Sequence, residues 1–196
     1  MRTPWGYDVD DTIEPIITRR CFDHFTGGAY ASNPRVDSAI AAASQAIRNY
    51  CGWHITPALD CTASPSGGSA VMRLPASYVS DIEQITEDGV EVDSAGYRWR
   101  TDGLVKRTAP HIWSPEWGAL EVKYTAGYSE DAVPDLVEAV CSVAAGVVSV
   151  SPGVVSESAD GVAVSYSVNA SSIAAALTSA QKNALEPYKV VGSHAA

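Results

Sequence analysis

Cys51 and His54 stand three residues apart in "AIRNYCGWHI" (46–55). Two side chains at that spacing on one helical turn can share a metal ion. Gly52 lies between them, however, where a helix meets its C′ glycine, so the two side chains are expected to diverge. No further pair completes a ligand set. His24, His111 and His194 share no spacing with His54, and Cys21, Cys51, Cys61 and Cys141 include no CxxC. The HExxH, GxSxG and Walker patterns are missing as well. In "GYSEDAVPDLVEA", Glu130 and Asp131 read as acids favoured by a helix dipole, and Glu138 as a solvated or interfacial edge. These residues point to no catalytic group, no cofactor and no metal. Trp53 and Ile55 read instead as a fold-back that caps the core after the helix ends.

Composition narrows the classes further. Of 196 residues, 46% are apolar and 18% charged, a globular balance with room for one good core. No apolar run has the length of a membrane span, and "MRTPWGYDVDDTIEP" has no signal-like apolar stretch, so a cytoplasmic start is expected. Four cysteines at irregular spacing then read as reduced, mostly buried thiols. The net charge of −10 argues against a surface that wraps nucleic acid. It suits a wall past which nucleic acid slides without sticking.

The elements that must position these residues follow from periodicity. Residues 1–17 read as a flexible N-terminal arm, 18–190 as a single domain and 191–196 as a tail. "ITRRCFDHFTGG" suggests a short helix packing Phe22 and Phe25. "SNPRVDSAIAAASQAIRNYCG" has an N-cap in Asn33, Pro34 at the first helical position, and Val36, Ile40, Ala43, Ile47 and Tyr50 on one face. "VPDLVEAVCSVAAGVVSVSPG" opens at Pro134, closes at Pro152-Gly153 and leaves almost no polar face. "TSAQKNALEPY" has capping-box spacing between Thr178 and Gln181. The helical core is therefore expected at 33–52, 131–151 and 178–189. "TPALDCTASPSGGSA" (56–70) reads as a linker. Six strand-like stretches follow within a β excursion over 70–128, with Asp-Gly of the type I′ kind in "EDGV" and "TDGL". A further hairpin is expected over 154–168, turning at Asp160-Gly161. The fold class is α+β: a small bundle of three to four helices with inserted antiparallel β-hairpins.

Charge is unevenly placed along the excursion. Asp81, Glu83, Glu87, Asp88, Glu91 and Asp93 form a run without Lys or Arg, and Arg98, Arg100, Lys106 and Arg107 follow against only Asp102. Cross-strand pairing inside one sheet accounts for this. So does a ring in which one subunit's acidic edge meets the next subunit's basic edge, and both can hold. Trp113 and Trp117, in the proline-bracketed "HIWSPEWGA", fit equally a sheet cap and an interface anchor.

Several of these blocks carry a family resemblance. "VDSAIAAASQAIRNYCGWHI" resembles the first helix of tailed-phage (siphophage) head–tail connectors, the adaptor or head-completion proteins. There a run of apolar and small residues ends in an aromatic-Cys-Gly-Trp type turn. "ALEVKYTAGYSEDAVPDLVEAVCSVAA" resembles the family's later strand, turn and helix start. Leu74-Pro75, "DGVEV" and "YRWRTDGLVKR" fit the hairpin excursion of longer members, and "LTSAQKNALEPY" fits the C-terminal helix. The order of blocks, over about 18 to 190, is the specific feature. The resemblance implies a non-enzymatic virion protein located in the neck, and in the host cytoplasm before assembly. It implies a homo-oligomeric ring, usually a dodecamer, beneath the portal protein. The ring would extend the channel for double-stranded DNA without binding it specifically, and would offer its far side to a stopper or tail-completion protein. The family's C-terminal segments reach the portal, which would place Tyr188, Lys189, Val190 and Val191 at that contact. A stopper or other minor neck protein, or a free-standing binding module, are the alternative readings.

Overall fold

The computed structural model describes residues 1–149, 156–159, 162–165 and 177–190. It is a mixed α+β structure whose chain forms two compact units. One comprises Met1–Glu14, Cys51–Ala132 and Tyr188–Ala196, the other Pro15–Tyr50 and Val133–Pro187. The grouping differs from the single domain over 18–190 read from the sequence, because the chain enters and leaves the β unit twice.

The helical unit holds α1 (Arg19–Phe25), α2 (Val36–Cys51, whose last residue belongs to the other unit), α3 (Pro134–Ser149), the β9 (Ser156–Ala159) and β10 (Val162–Ser165) pair, and α4 (Ser179–Leu185). Thr18 caps α1, and Phe22 is buried, but Phe25 is left largely exposed, so only one of the two phenylalanines packs. Val36, Ile40, Ala43 and Ile47 are buried as the 3–4 spacing requires. Asn33 Oδ1 accepts from the Arg35 N–H, and the helix starts two residues beyond Pro34. On α3, Leu136, Val140, Val143, Ala144 and Val148 are buried. Glu138, Ser142, Gly146 and Ser149 keep an exposed stripe at spacings of four, four and three, a polar edge that the run of valines obscured. The Thr178–Gln181 capping box closes on both sides. A short 3-10 turn, Glu186–Tyr188, then takes up Pro187. Pro152-Gly153, Asp160-Gly161 and the tail at 191–196 lie outside the described residues.

The β unit holds two antiparallel sheets. The larger one combines β1 (Asp8–Val9), β2 (Leu59–Ala63), β8 (Leu120–Ala126), β4 (Val79–Glu87) and β5 (Val90–Glu91), in the order β1-β2-β8-β4-β5. The smaller one has the order β3-β7-β6, from β3 (Val71–Arg73), β6 (Tyr97–Trp99) and β7 (Leu104–Arg107). Two expectations change here. The arm over 1–17 is in part a sheet strand: Tyr7 and Val9 are fully buried, and Val9 pairs with Cys61. The linker over 56–70 contains β2, whose Cys61 and Ala63 alternate inward between exposed or half-buried neighbours. On β4 the buried residues Val79, Ile82 and Ile85 come every third position. Register shifts after Val79 and Ile82 restore them to one face, since each bulge inserts a residue.

The two Asp-Gly turns differ. Asp88 and Gly89 both have positive φ, 51° and 78°, as a type I′ turn demands. At "TDGL" only Gly103 does, at 77°, and its N–H bonds the Arg100 carbonyl while the Arg100 N–H bonds the Leu104 carbonyl. That is a wider turn ending in a left-handed glycine, not the type I′ turn the dipeptide suggests. A Cβ on Gly103 would lie 2.6 Å from the Ala76 carbonyl oxygen, whereas one on Gly89 meets nothing within 4 Å. Gly89→Ala is therefore expected to cost about 1 kcal/mol, the left-handed penalty alone. Gly103→Ala is expected to cost about 3 kcal/mol or more, because backbone must also move. Urea midpoints of the two variants check the difference; equal losses would contradict it.

Candidate functional site

Of the sequence-selected residues, Glu87, Glu91, Asp93 and Arg107 line, with Val90 and His111, an open cleft of about 350 Å³. The structure also assembles a buried polar hub and, on the same unit, two oppositely charged surfaces.

The hub lies where α2 ends. Gly52 adopts φ 82°, so the helix terminates between Cys51 and His54 as the sequence suggests. His54 is fully buried, with Nδ1 2.7 Å from the Tyr7 hydroxyl and Nε2 3.0 Å from the Ala126 carbonyl oxygen. A carbonyl can only accept, so Nε2 carries the proton. Nδ1 then accepts from the Tyr7 hydroxyl, which itself accepts from the His54 backbone N–H at 3.0 Å. Both ring nitrogens are thus engaged by protein. Trp53 is equally buried, and its Nε1–H donates to the Tyr188 carbonyl at 2.6 Å. Tyr128 stacks on Tyr78 at 4.4 Å between ring centroids and meets Trp53 and Tyr188 edge-on. Ile55 is buried too, so the fold-back of Trp53 and Ile55 occupies the core. Among the described residues, no three His, Cys, Asp or Glu side chains gather as metal ligands would.

The predicted portal segment meets this hub. Tyr188 and Val190 are both buried, and the Val190 N–H bonds the Cys51 carbonyl at 3.0 Å. Their side chains belong to the β unit's own core, leaving half-buried Lys189 as the described part of that segment with surface to offer. Val191 lies outside the described residues. The two loop tryptophans also separate. Trp113 is fully buried, donates from Nε1 to the Val105 carbonyl at 3.3 Å and carries the Arg107 guanidinium 4.8 Å over its ring. It is a core residue rather than an interface anchor. Trp117 is 98% exposed, with Ile112 exposed in the same loop.

Charge sorts in a way the sequence did not reveal. Glu87 and Arg107 pair at 2.9 Å with little exposure, and Glu87 Oε1 also accepts from the Ser114 N–H at 2.7 Å. This pair joins the larger sheet to the smaller one, so it is neither a cross-strand pair within one sheet nor available to a neighbour. Asp81, Glu83, Asp88, Glu91 and Asp93 remain exposed around the β4–β5 hairpin. Burial, then the charges of Asp81, Asp93 and Glu91, push the Tyr97 phenol above its ordinary range. Arg98, Arg100 and Lys106 are exposed on the smaller sheet. Arg100 pairs with Asp102 at 3.0 Å, and Arg98 donates to the Tyr97 carbonyl.

Two of the thiols are held neutral. Burial pushes Cys61 up to about 12, and burial together with the adjacent Cys21 thiol pushes Cys141 up to about 12.

A family model described as "Head completion protein" matches residues 16–145. No curated protein matches the chain. Among solved structures, a chain from the neck of a native GTA particle computed with C12 symmetry is 18% identical. It has a TM-score of 0.55, over 71% of this chain and 81% of that one. A chain from the neck of an empty GTA particle computed with C6 symmetry is 22% identical, with a TM-score of 0.52 over 71% of this chain and 82% of that one. At these identities the likeness is one of fold.

Two predictions follow the chemistry of the buried groups. Tyr7→Phe deprives Nδ1 and the His54 N–H of a partner and is expected to cost about 1–3 kcal/mol in chemical denaturation; an unchanged midpoint would contradict the hub. The unfolded chain loses its thiol protons near pH 9, before folded Cys61 and Cys141 do, so it binds fewer protons there. Stability is therefore present in full below pH 9 and is expected to fall as pH rises towards 12, with Cys61→Ala flattening the fall.

Proposed function

This chain belongs to the head completion protein family, and from that premise we propose that it is a structural protein of a phage-like particle, built into the neck as a head–tail adaptor. It forms a homo-oligomeric ring, a dodecamer in the simplest case, between the portal protein and a stopper or tail-completion protein. It works in the virion after a period in the host cytoplasm, and it performs no reaction. Double-stranded DNA passes through the lumen, and a net charge of −10 keeps phosphate from adhering.

The observation that carries this reading is the family match over residues 16–145. A fold shared with neck chains from particles computed with C12 and C6 symmetry supports it. The buried hub supports it in another way. Each polar atom of His54 that could act as acid, base or ligand is tied to the scaffold, as suits a residue that positions chain segments. A stopper in the same neck is the second reading, favoured by the exposed Trp117 loop as a single projecting contact.

Purified particles and purified portal test the proposal. The chain is expected in the particles, and it is expected to co-sediment with assembled portal even if it is monomeric alone. Its absence from particles, or failure to bind portal, would contradict the adaptor reading. Binding to a completed neck but not to bare portal would favour the stopper.

A further inference from the structure

The charged surfaces of the β unit have shapes as well as signs. On the smaller sheet, Val71 and Arg98 both pair with Lys106 across the strands, which brings these three side chains to one face. With Trp99, Arg100 and Leu104 they line a cleft of about 300 Å³ whose walls carry three apolar and three basic residues. Val71 is 41% exposed there. On the larger sheet, the β4–β5 hairpin exposes Val90 to 69% on the face it shares with its register partner Glu87, with Asp88 at the turn and Glu91 on the opposite face. Among the described residues, none of Asp81, Glu83, Asp88, Glu91 and Asp93 forms a salt bridge. An acidic hairpin with an exposed valine and a cleft lined by apolar and basic side chains are therefore present on the same chain.

They cannot meet within one copy. Successive strand residues point to opposite faces. On β7, Arg107 reaches Glu87 at the base of the chain's own hairpin, and Lys106, the next residue, faces the other way into the cleft. A copy's hairpin therefore lies on the side of the smaller sheet opposite its own cleft.

We infer that the β4–β5 hairpin of one copy inserts in the basic cleft of the next, with its Val90 face against Val71 and Leu104, and its turn and opposite face, Asp88 and Glu91, against Arg98, Arg100 and Lys106. The occupant is a second copy of this chain. The contact is head-to-tail, so it repeats around a ring or along a filament. The partner's carboxylates would meet Arg98 and Lys106 and share Arg100 with Asp102, and the two apolar surfaces would leave water together. This inference rests on the ring reading and specifies its contact. Glu87 and Arg107 take no part, because they hold the two sheets of one copy together.

The test places one crosslinking thiol on each surface. In a Cys21→Ser background, Val90→Cys and Leu104→Cys are combined and treated with a short bismaleimide at high protein concentration. The expected result is a ladder of dimer, trimer and higher species on a denaturing gel, while either substitution alone gives dimers at most. Adding Arg100→Glu and Lys106→Glu is expected to reduce the ladder at least roughly tenfold, and adding Asp88→Lys and Glu91→Lys to that variant to restore it. Restoration rules out simple unfolding. A product that stops at dimer, or a ladder indifferent to charge reversal, would overturn the inference. So would retention of duplex DNA by the wild-type protein that Arg98→Glu and Lys106→Glu abolish, which would give the basic face to nucleic acid. A ring imaged at the particle neck without the ladder would overturn this contact and leave the ring reading standing; no ring would overturn both.

Discussion

A single buried imidazole sets the plan of the β unit. Placing His54 out of water requires a partner for each ring nitrogen, and those partners come from distant parts of the sequence. The Tyr7 hydroxyl arrives from the N-terminal segment, and the Ala126 carbonyl from the end of β8. Neighbouring Trp53 adds the Tyr188 carbonyl from the C-terminal segment. Gly127 must be glycine for this to fit, since a Cβ there would lie 2.3 Å from the Pro57 carbonyl oxygen and 2.9 Å from His54 Nε2. His54 and Trp53 together thus converge four stretches of chain on the point where α2 ends.

That convergence explains why the unit presents opposed surfaces. With N-terminal strand, α2 terminus, β8 and C-terminal segment secured, the remaining excursion is free to extend as hairpins. The Glu87–Arg107 pair fixes the β4–β5 hairpin on one side of the smaller sheet, and strand alternation sends Lys106 to the other side. The acidic and basic faces are therefore opposed by geometry, whatever the details of their surfaces. Opposed complementary faces favour association in one direction, which is what a closed ring asks of its subunit.

Much of this was legible in the sequence where the signal is local. The α2 helix follows from Asn33, the 3–4 spacing of Val36 to Ile47, and Gly52. The Asp88-Gly89 turn follows from its dipeptide. The capping box at Thr178 and Gln181 follows from its spacing. What stayed hidden depends on partners far away. Leu59 to Ala63 looks like linker because Pro57 and Pro65 bracket it, yet β8 pairs with it on one side and β1 on the other. Tyr7 looks like part of an arm, because nothing local says that a histidine 47 residues on needs its hydroxyl. The "TDGL" turn departs from its dipeptide rule because the Arg100 N–H closes it on the Leu104 carbonyl, one residue wider than a two-residue hairpin turn. Arg107 reads as one more cation in a basic run until Glu87 is seen beside it. Of the site, the signs of the two faces were legible, and their shapes were not.

The central claim is that this chain is a ring subunit of the particle neck whose acidic hairpin meets its neighbour's basic sheet. A reconstruction of the neck at side-chain resolution tests it most directly. The account predicts this chain as a closed ring below the portal, with Val90 of each copy seated against Val71 and Leu104 of the next. A neck without this chain, or a ring whose copies meet through other surfaces and leave Val90 in solvent, would contradict it.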